Sequence, residues 1–169
     1  MVDIWGIYSY GQDREVSKFE MEAMGKQARH RLCDRQEIAF FGSSGMGQLP
    51  LKCRNRGCAV YPMRNENKSL CLVFDGFISN YCELREFLVK KGHHFNYHGD
   101  SGEVVLHLFE ENKEEGFKLL NGMYAFAIWD DGAKELILAR DRFGIRPLFY
   151  YDNGKTLIFS SSIKSILST

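Results

Sequence analysis

Net charge is what this sequence most plainly lacks: 22 Lys plus Arg stand against 22 Asp plus Glu, a formal charge of +0. No global field draws such a chain toward nucleic acid or an anionic membrane, and neither is expected as a partner. Long apolar runs are missing too. The longest, residues 123–129, has seven residues, where a bilayer span needs about 20. Residues 1–15 hold no basic segment followed by an apolar core, so no signal peptide is expected and the cytoplasm is the expected compartment. Proline is scarce (Pro50, Pro62 and Pro147), and there is no repeat, low-complexity tract or linker-like stretch. One domain over residues 1–169 follows.

Cysteine pairing is also short of what a disulfide framework needs. The five cysteines, Cys33, Cys53, Cys58, Cys71 and Cys82, are odd in number and read as reduced thiols. No Cys-x-x-Cys occurs, and the spacing of Cys53 and Cys58 fits no common zinc site. His93, His94 and His98 with Asp100 have the residue types of a metal site, but a turn after the helix-ending Gly92 accounts for them, so no metal and no cofactor are expected.

What is present is a hydrophobic fraction of 44% in short, strongly patterned blocks. Residues 1–10 read as a buried strand. Residues 16–31 carry Val16, Phe19, Met21, Met24 and Ala28 at helical spacing. Short strands are predicted over 38–41, 48–53 and 59–63, with a turn at Ser43-Ser44-Gly45. Residues 70–74 form an apolar strand ended by the turn dipeptide Asp75-Gly76. Asn80 is placed to cap a helix over 81–91 closed by Gly92, and Ser101 to cap a second over 103–112. A short amphipathic piece over 117–120, strands over 123–129, 135–140, 147–151 and 156–160, and a helix over 161–167 complete the pattern. Strands at both ends with helices between them predict an α+β fold. The extremely apolar strands suggest sheets covered on both faces. The dense charge of residues 140–147 and the aromatic richness are read as packing rather than as an anion site or a stacking platform.

Five segments resemble those of a known family. Residues 72–81 resemble the LVFNGEIYNY segment of asparagine synthetase, and 103–111 resemble its EVILHLYEE. Residues 120–130 and 138–151 resemble LNGMFAFAIWD and LARDRFGIKPLYY, and 161–167 echo SEIKAL. In this order and spacing the chain is similar to the N-terminal glutaminase domain of asparagine synthetase, a class II glutamine amidotransferase. The resemblance implies an α+β fold, the four-layer αββα sandwich of the N-terminal-nucleophile hydrolases.

The resemblance also implies where the chemistry should sit. In the family an N-terminal cysteine, exposed by removal of the initiator Met, attacks the glutamine amide with its own α-amine as base. Val2 stands at that position, and an isopropyl group cannot attack a carbonyl. A gapless count from Tyr61-Pro62-Met63 puts Leu49 at the arginine that binds the substrate carboxylate. Asp75 stands where the family has the asparagine that donates to the oxyanion, and an ionised carboxylate only accepts. Gly76, the other donor, is kept. Ser101 takes the place of the amine-binding aspartate, with Asp100 one residue earlier. The HRGPD loop survives partly as residues 30–34, and its Cys33, with His30 as base, is the one alternative nucleophile.

The resemblance, with these departures, implies a degenerate amidotransferase domain whose vestigial cleft is Leu49, Asp75, Gly76 and Ser101. It carries no SGGxDS phosphate loop, so a separate ATP-pyrophosphatase or synthetase is the implied partner, with a small-molecule ligand in the cleft as a further option. Similar chains without the cysteine, such as β-lactam synthetases and lasso-peptide cyclases, use the domain without hydrolysing glutamine. The alternatives are an active amidase with a different nucleophile, or the N-terminal fragment of a full asparagine synthetase-like enzyme.

Overall fold

The structure is a computed structural model, and it describes residues 2–11, 14–27, 36–49 and 59–169. In chain order the strands and helices are β1 (Ile4–Ser9), α1 (Lys18–Gln27), β2 (Glu37–Phe41), β3 (Ser44–Gln48), β4 (Met63–Arg64), β5 (Leu70–Ile78), α2 (Tyr81–Lys90), α3 (Ser101–Asn112), β6 (Gly122–Asp130), β7 (Glu135–Arg140), β8 (Phe149–Asp152), β9 (Thr156–Ser160) and α4 (Ile163–Ile166). A 3-10 helix, Lys113–Leu119, links α3 to β6. The described strands form two antiparallel sheets, one in the order β2-β3-β1-β9-β8 and the other β4-β5-β6-β7.

Strand alternation explains how these elements stack. Along β5, Leu70, Leu72, Phe74 and Ile78 face α2 and α3, while Cys71 and Val73 face the other sheet. On β6, Tyr124, Phe126 and Ile128 turn to the helices and Ala125, Ala127 and Trp129 to the sheet interface. Both strands are therefore apolar at nearly every position, as strands covered on both faces must be. On the five-stranded sheet Ile4 and Phe159 enter the interface, and Trp5, Ile7 and Ile158 enter a third cluster under α1 and α4. The order of layers is helix, sheet, sheet, helix, as expected.

Trp5 fixes the outer pair of layers. Its ring is fully buried and its indole N–H donates to the carbonyl of Met21 at 3.0 Å. A Cβ on Gly47 of β3 or Gly25 of α1 would lie 2.5–2.6 Å from the nearest atoms there, Trp5 ring carbons included. The two glycines leave the slot that the indole fills.

Several local expectations shift. The Asp75-Gly76 pair lies inside β5, in register with Ala125 and Tyr124, and does not form a turn. Gly76 has φ +154°, and a Cβ there would meet the Met123 carbonyl oxygen at 2.2 Å. Turn chemistry in the sequence thus marks a close backbone approach within a strand. Ser44 and Gly45 belong to β3, leaving Gly42-Ser43 as the turn, and β3 ends at Gln48, with residues 50–58 outside those described. Of the strand expected over 59–63 only the Met63–Arg64 bridge forms. The N-cap of α3 is Asp100, whose carboxylate accepts from Gly102 N and Glu103 N, not Ser101. Asn80 precedes α2 without a side-chain cap bond; it binds Leu119 O and Asn121 N instead. Among the described residues no helix is long and apolar enough to cross a membrane.

Phe126 is fully buried between helices and sheet, whereas Phe143 is 89% exposed. Phe126→Ala is expected to lower stability by about 3–5 kcal/mol, and Phe143→Ala by no more than about 0.5 kcal/mol. Chemical denaturation of the two variants measures the contrast.

Candidate functional site

A cleft of about 240 Å³ opens where β5 outruns its neighbour. The two-residue strand β4 pairs only with Cys71 and Leu72, so among the described residues no strand pairs with the edge of β5 opposite β6 beyond that point. Side chains cover it. Gln48 Oε1, at the end of β3, accepts from Phe74 N at 2.9 Å, and Ser101 Oγ, at the start of α3, accepts from Ile78 N at 3.1 Å. Period-two alternation points the Gly76 N–H to the same edge, between these two.

Asp75 faces the sheet interface, on the side of Cys71 and Val73, and is 2% exposed. Its Oδ1 accepts from the Val2 backbone N at 2.8 Å, and its Oδ2 lies 3.7 Å from Arg146 Nη1. Burying a carboxylate is costly unless it is paired, and both oxygens have cationic or N–H neighbours. Val2 itself is buried, its isopropyl group among the residues lining the cleft.

Arg146 is delivered by a loop built on Asp141. That buried carboxylate accepts from the backbone N–H of Phe143, Ile145 and Arg146, each at 3.1 Å, and of Tyr124 at 3.3 Å. Burial pushes the Asp141 carboxyl up, but the four N–H groups outweigh it and hold it below its ordinary value of 3.8. The charge of residues 140–147 is thus structural, as expected, but it also places a guanidinium at the cleft, which the sequence pattern does not reveal.

The opposite wall is the N-terminus of α3. Asp100 Oδ1 accepts from Gly102 N at 3.0 Å, Glu103 N at 3.1 Å and the Tyr61 hydroxyl at 2.6 Å. Burial, together with the Asp100 charge, pushes the Tyr61 phenol well up, so it stays a donor. Glu103 accepts from Asn96 N at 2.7 Å and Tyr97 N at 3.0 Å, which anchors the segment leading into the wall.

Of the residues expected in the cleft, Val2, Asp75, Gly76 and Ser101 line it together. Leu49 does not. It is buried in the cluster under α1, with its N–H on Asp3 O at 3.1 Å. Alternation along the strand explains this, since Gln48 takes the cleft side and its neighbour must turn away. Cys33 and His30 lie outside the described residues. The close approach of Met123 alone demands a glycine at position 76. A roomier depression of about 450 Å³ between Tyr8, Tyr10, Phe41 and Trp129 holds none of these positions.

Residues 1–169 match the family described as the glutamine amidotransferase domain. Asparagine synthetase (glutamine-hydrolyzing) 3 of Arabidopsis thaliana is 39% identical over 167 residues, which cover 98% of this chain and 28% of that protein. Asparagine synthetase (glutamine-hydrolyzing) 3 of Bacillus subtilis (strain 168) is 34% identical over 139 residues, 82% of this chain and 21% of that protein. The chain therefore spans between a fifth and a third of the length of these two relatives. Among solved structures, a glutamine phosphoribosylpyrophosphate amidotransferase from B. subtilis complexed with ADP and GMP superposes with a TM-score of 0.79 at 20% identity, covering 98% of this chain and 43% of that one. That likeness concerns the fold, the N-terminal-nucleophile hydrolase sandwich.

Because the Asp141 carboxyl titrates lower in the folded chain, its stabilisation is complete above its ordinary value and is lost as pH falls through the lower folded one. Asp141→Asn is expected to cost about 2–4 kcal/mol near neutral pH and to flatten the acid limb of the stability curve. Urea denaturation over a series of pH values reads both effects.

Proposed function

Because the chain belongs to the glutamine amidotransferase domain family, we propose that it is a member that does not hydrolyse glutamine. It serves instead as the binding or scaffolding module of an ATP-dependent, amide-forming synthetase, carried on the same chain or a separate one. The observation that carries this reading is the Asp75 carboxylate 2.8 Å from the backbone N of Val2.

Two requirements of amide hydrolysis fail at that contact. A nucleophile must supply a lone pair to the substrate carbonyl, and Val2 presents carbon only. The tetrahedral intermediate must place its oxyanion among donors, and Asp75 brings a negative charge to the edge where Gly76 offers an N–H. Loss of one such donor costs about 10²–10³ in rate, and replacing it with an anion adds repulsion. Arg146, 3.7 Å from Asp75, is engaged by that carboxylate and so is less available to a substrate carboxylate. The buried charge pair gives the cleft a polarity suited to a small polar ligand rather than to turnover.

The test is glutamate release from glutamine by the unaltered protein, by Val2→Cys, and by Val2→Cys with Asp75→Asn. No release above background is expected from the first two, since the thiol alone leaves the carboxylate at the oxyanion position. Release by the unaltered protein overturns the reading and directs attention to Cys33.

A further inference from the structure

Away from the cleft, on the far side of the wall formed by α3, converge three side chains that take no part in it. His93 follows α2, and His107 and Glu110 are spaced i,i+3 on one face of α3. His93 Nδ1 and His107 Nδ1 are 3.1 Å apart, His107 Nδ1 and Glu110 Oε2 are 2.7 Å apart, and His93 Nδ1 and Glu110 Oε2 are 3.5 Å apart. We propose that these three atoms form a site for a divalent transition metal, best suited to Zn²⁺, which ties the segment after α2 to α3.

The geometry is that of a ligand set. With bonds of about 2.0–2.1 Å, the donors of a tetrahedral zinc stand about 3.4 Å from one another, and the three separations straddle that value. Two imidazoles and one carboxylate are donors zinc takes readily, and they leave a fourth position for water. Hydrogen bonding alone leaves the group under-supplied. Two imidazole nitrogens and a carboxylate oxygen meet at hydrogen-bond distance with the tautomers sharing few protons between them, and among the described residues the buried His107 Nε2 has no partner. A cavity of about 100 Å³ lined by His107 and Asn65 has room for a water there.

The surroundings hold the donors as a metal site requires. His93 Nε2 lies 3.0 Å from Glu111 Oε1, the carboxylate–imidazole arrangement that orients a ligating ring. Glu111 is itself held by Lys91 Nζ at 2.7 Å. Glu110 Oε1 accepts from Asn65 Nδ2 at 2.7 Å, which leaves Oε2 for the metal. Glu66 and Glu103 add negative charge near His107, so the cluster favours a cation. His94 and His98, the other members of the histidine-rich segment, lie outside the cluster. The proposal does not depend on whether the cleft hydrolyses glutamine.

The experiment is calorimetric titration of the metal-stripped full chain with ZnCl₂, alongside melting curves. One equivalent is expected to bind in the micromolar range or tighter and to raise Tm. His93→Asn and Glu110→Gln, at partly exposed positions, are expected to weaken binding by at least about tenfold. Glu111→Gln, which acts only through the His93 ring, is expected to weaken it by about tenfold as well. Cobalt loaded in place of zinc should show ligand-field absorption without thiolate charge-transfer bands. No saturable binding, which leaves a shared proton as the occupant, overturns the proposal. So does binding that survives His93→Asn and Glu110→Gln and disappears when Cys33, Cys53 and Cys58 are replaced by Ser.

Discussion

The nine-residue ladder between β5 and β6, paired from Leu70↔Asp130 to Ile78↔Gly122, is the constraint on which the rest of the molecule depends. It is covered by helices on one face and by the second sheet on the other, so its buried backbone groups must find protein partners. On one edge β6 supplies them. On the other, β4 stops after two residues, and the N–H groups of β5 beyond Leu72 are left to side chains from elsewhere. Gln48 from the far sheet and Ser101 from α3 are drawn in for that purpose. The cleft is the by-product of this arrangement, a gap between three elements that meet to complete one strand.

Placing an aspartate on that strand has consequences for everything near it. Alternation sends Asp75 into the sheet interface, where an isolated carboxylate is not tolerated. The Val2 N–H and Arg146 answer the charge from two sides, and Arg146 is in place only because Asp141 gathers four backbone N–H groups into a rigid loop. Two buried aspartates thus organise the centre, one by needing a partner and the other by positioning it. Residues around them have packing roles of their own: Gly76 for the approach of Met123, the 140–147 segment for the Asp141 loop. Retention of such residues is compatible with amide hydrolysis but does not require it.

Elements whose signals are local are legible in the sequence. The apolar blocks at 70–74 and 123–129 are strands, the segment closed by Gly92 and the helically spaced residues around Met21 and Met24 are helices, and the layer order follows from strands that are apolar on both faces. Where expectation and structure part, a long-range contact overrides a local signal. Asp75-Gly76 has the composition of a turn, yet pairing with β6 keeps it extended. Ser101 resembles a cap, but Asp100 takes that role and frees the hydroxyl for Ile78. Counting along the chain places Leu49 in the cleft, whereas the face it occupies is set by β3 packing under α1. The pairing of His93 with His107 spans two elements, so the histidines adjacent in sequence give no sign of it.

Helix α3 connects the two polar centres. Its first turn carries Asp100 and Ser101 into the cleft, and His107 lies about two turns further on, roughly 9 Å along the axis. The segment preceding it is fastened at three points: Glu103 holds Asn96 and Tyr97, Tyr81 accepts from Gly99 N at 3.0 Å, and His93 reaches His107. The first two are hydrogen bonds to backbone and fix its path beside the cleft. The third is the only one of these that joins two titratable, metal-competent side chains, so it is the fastening whose strength depends on what the solution supplies. Between the two centres the core side of the helix, Val104, Val105 and Leu108, is fully buried, so the cleft end and the histidine end are carried on one packed element.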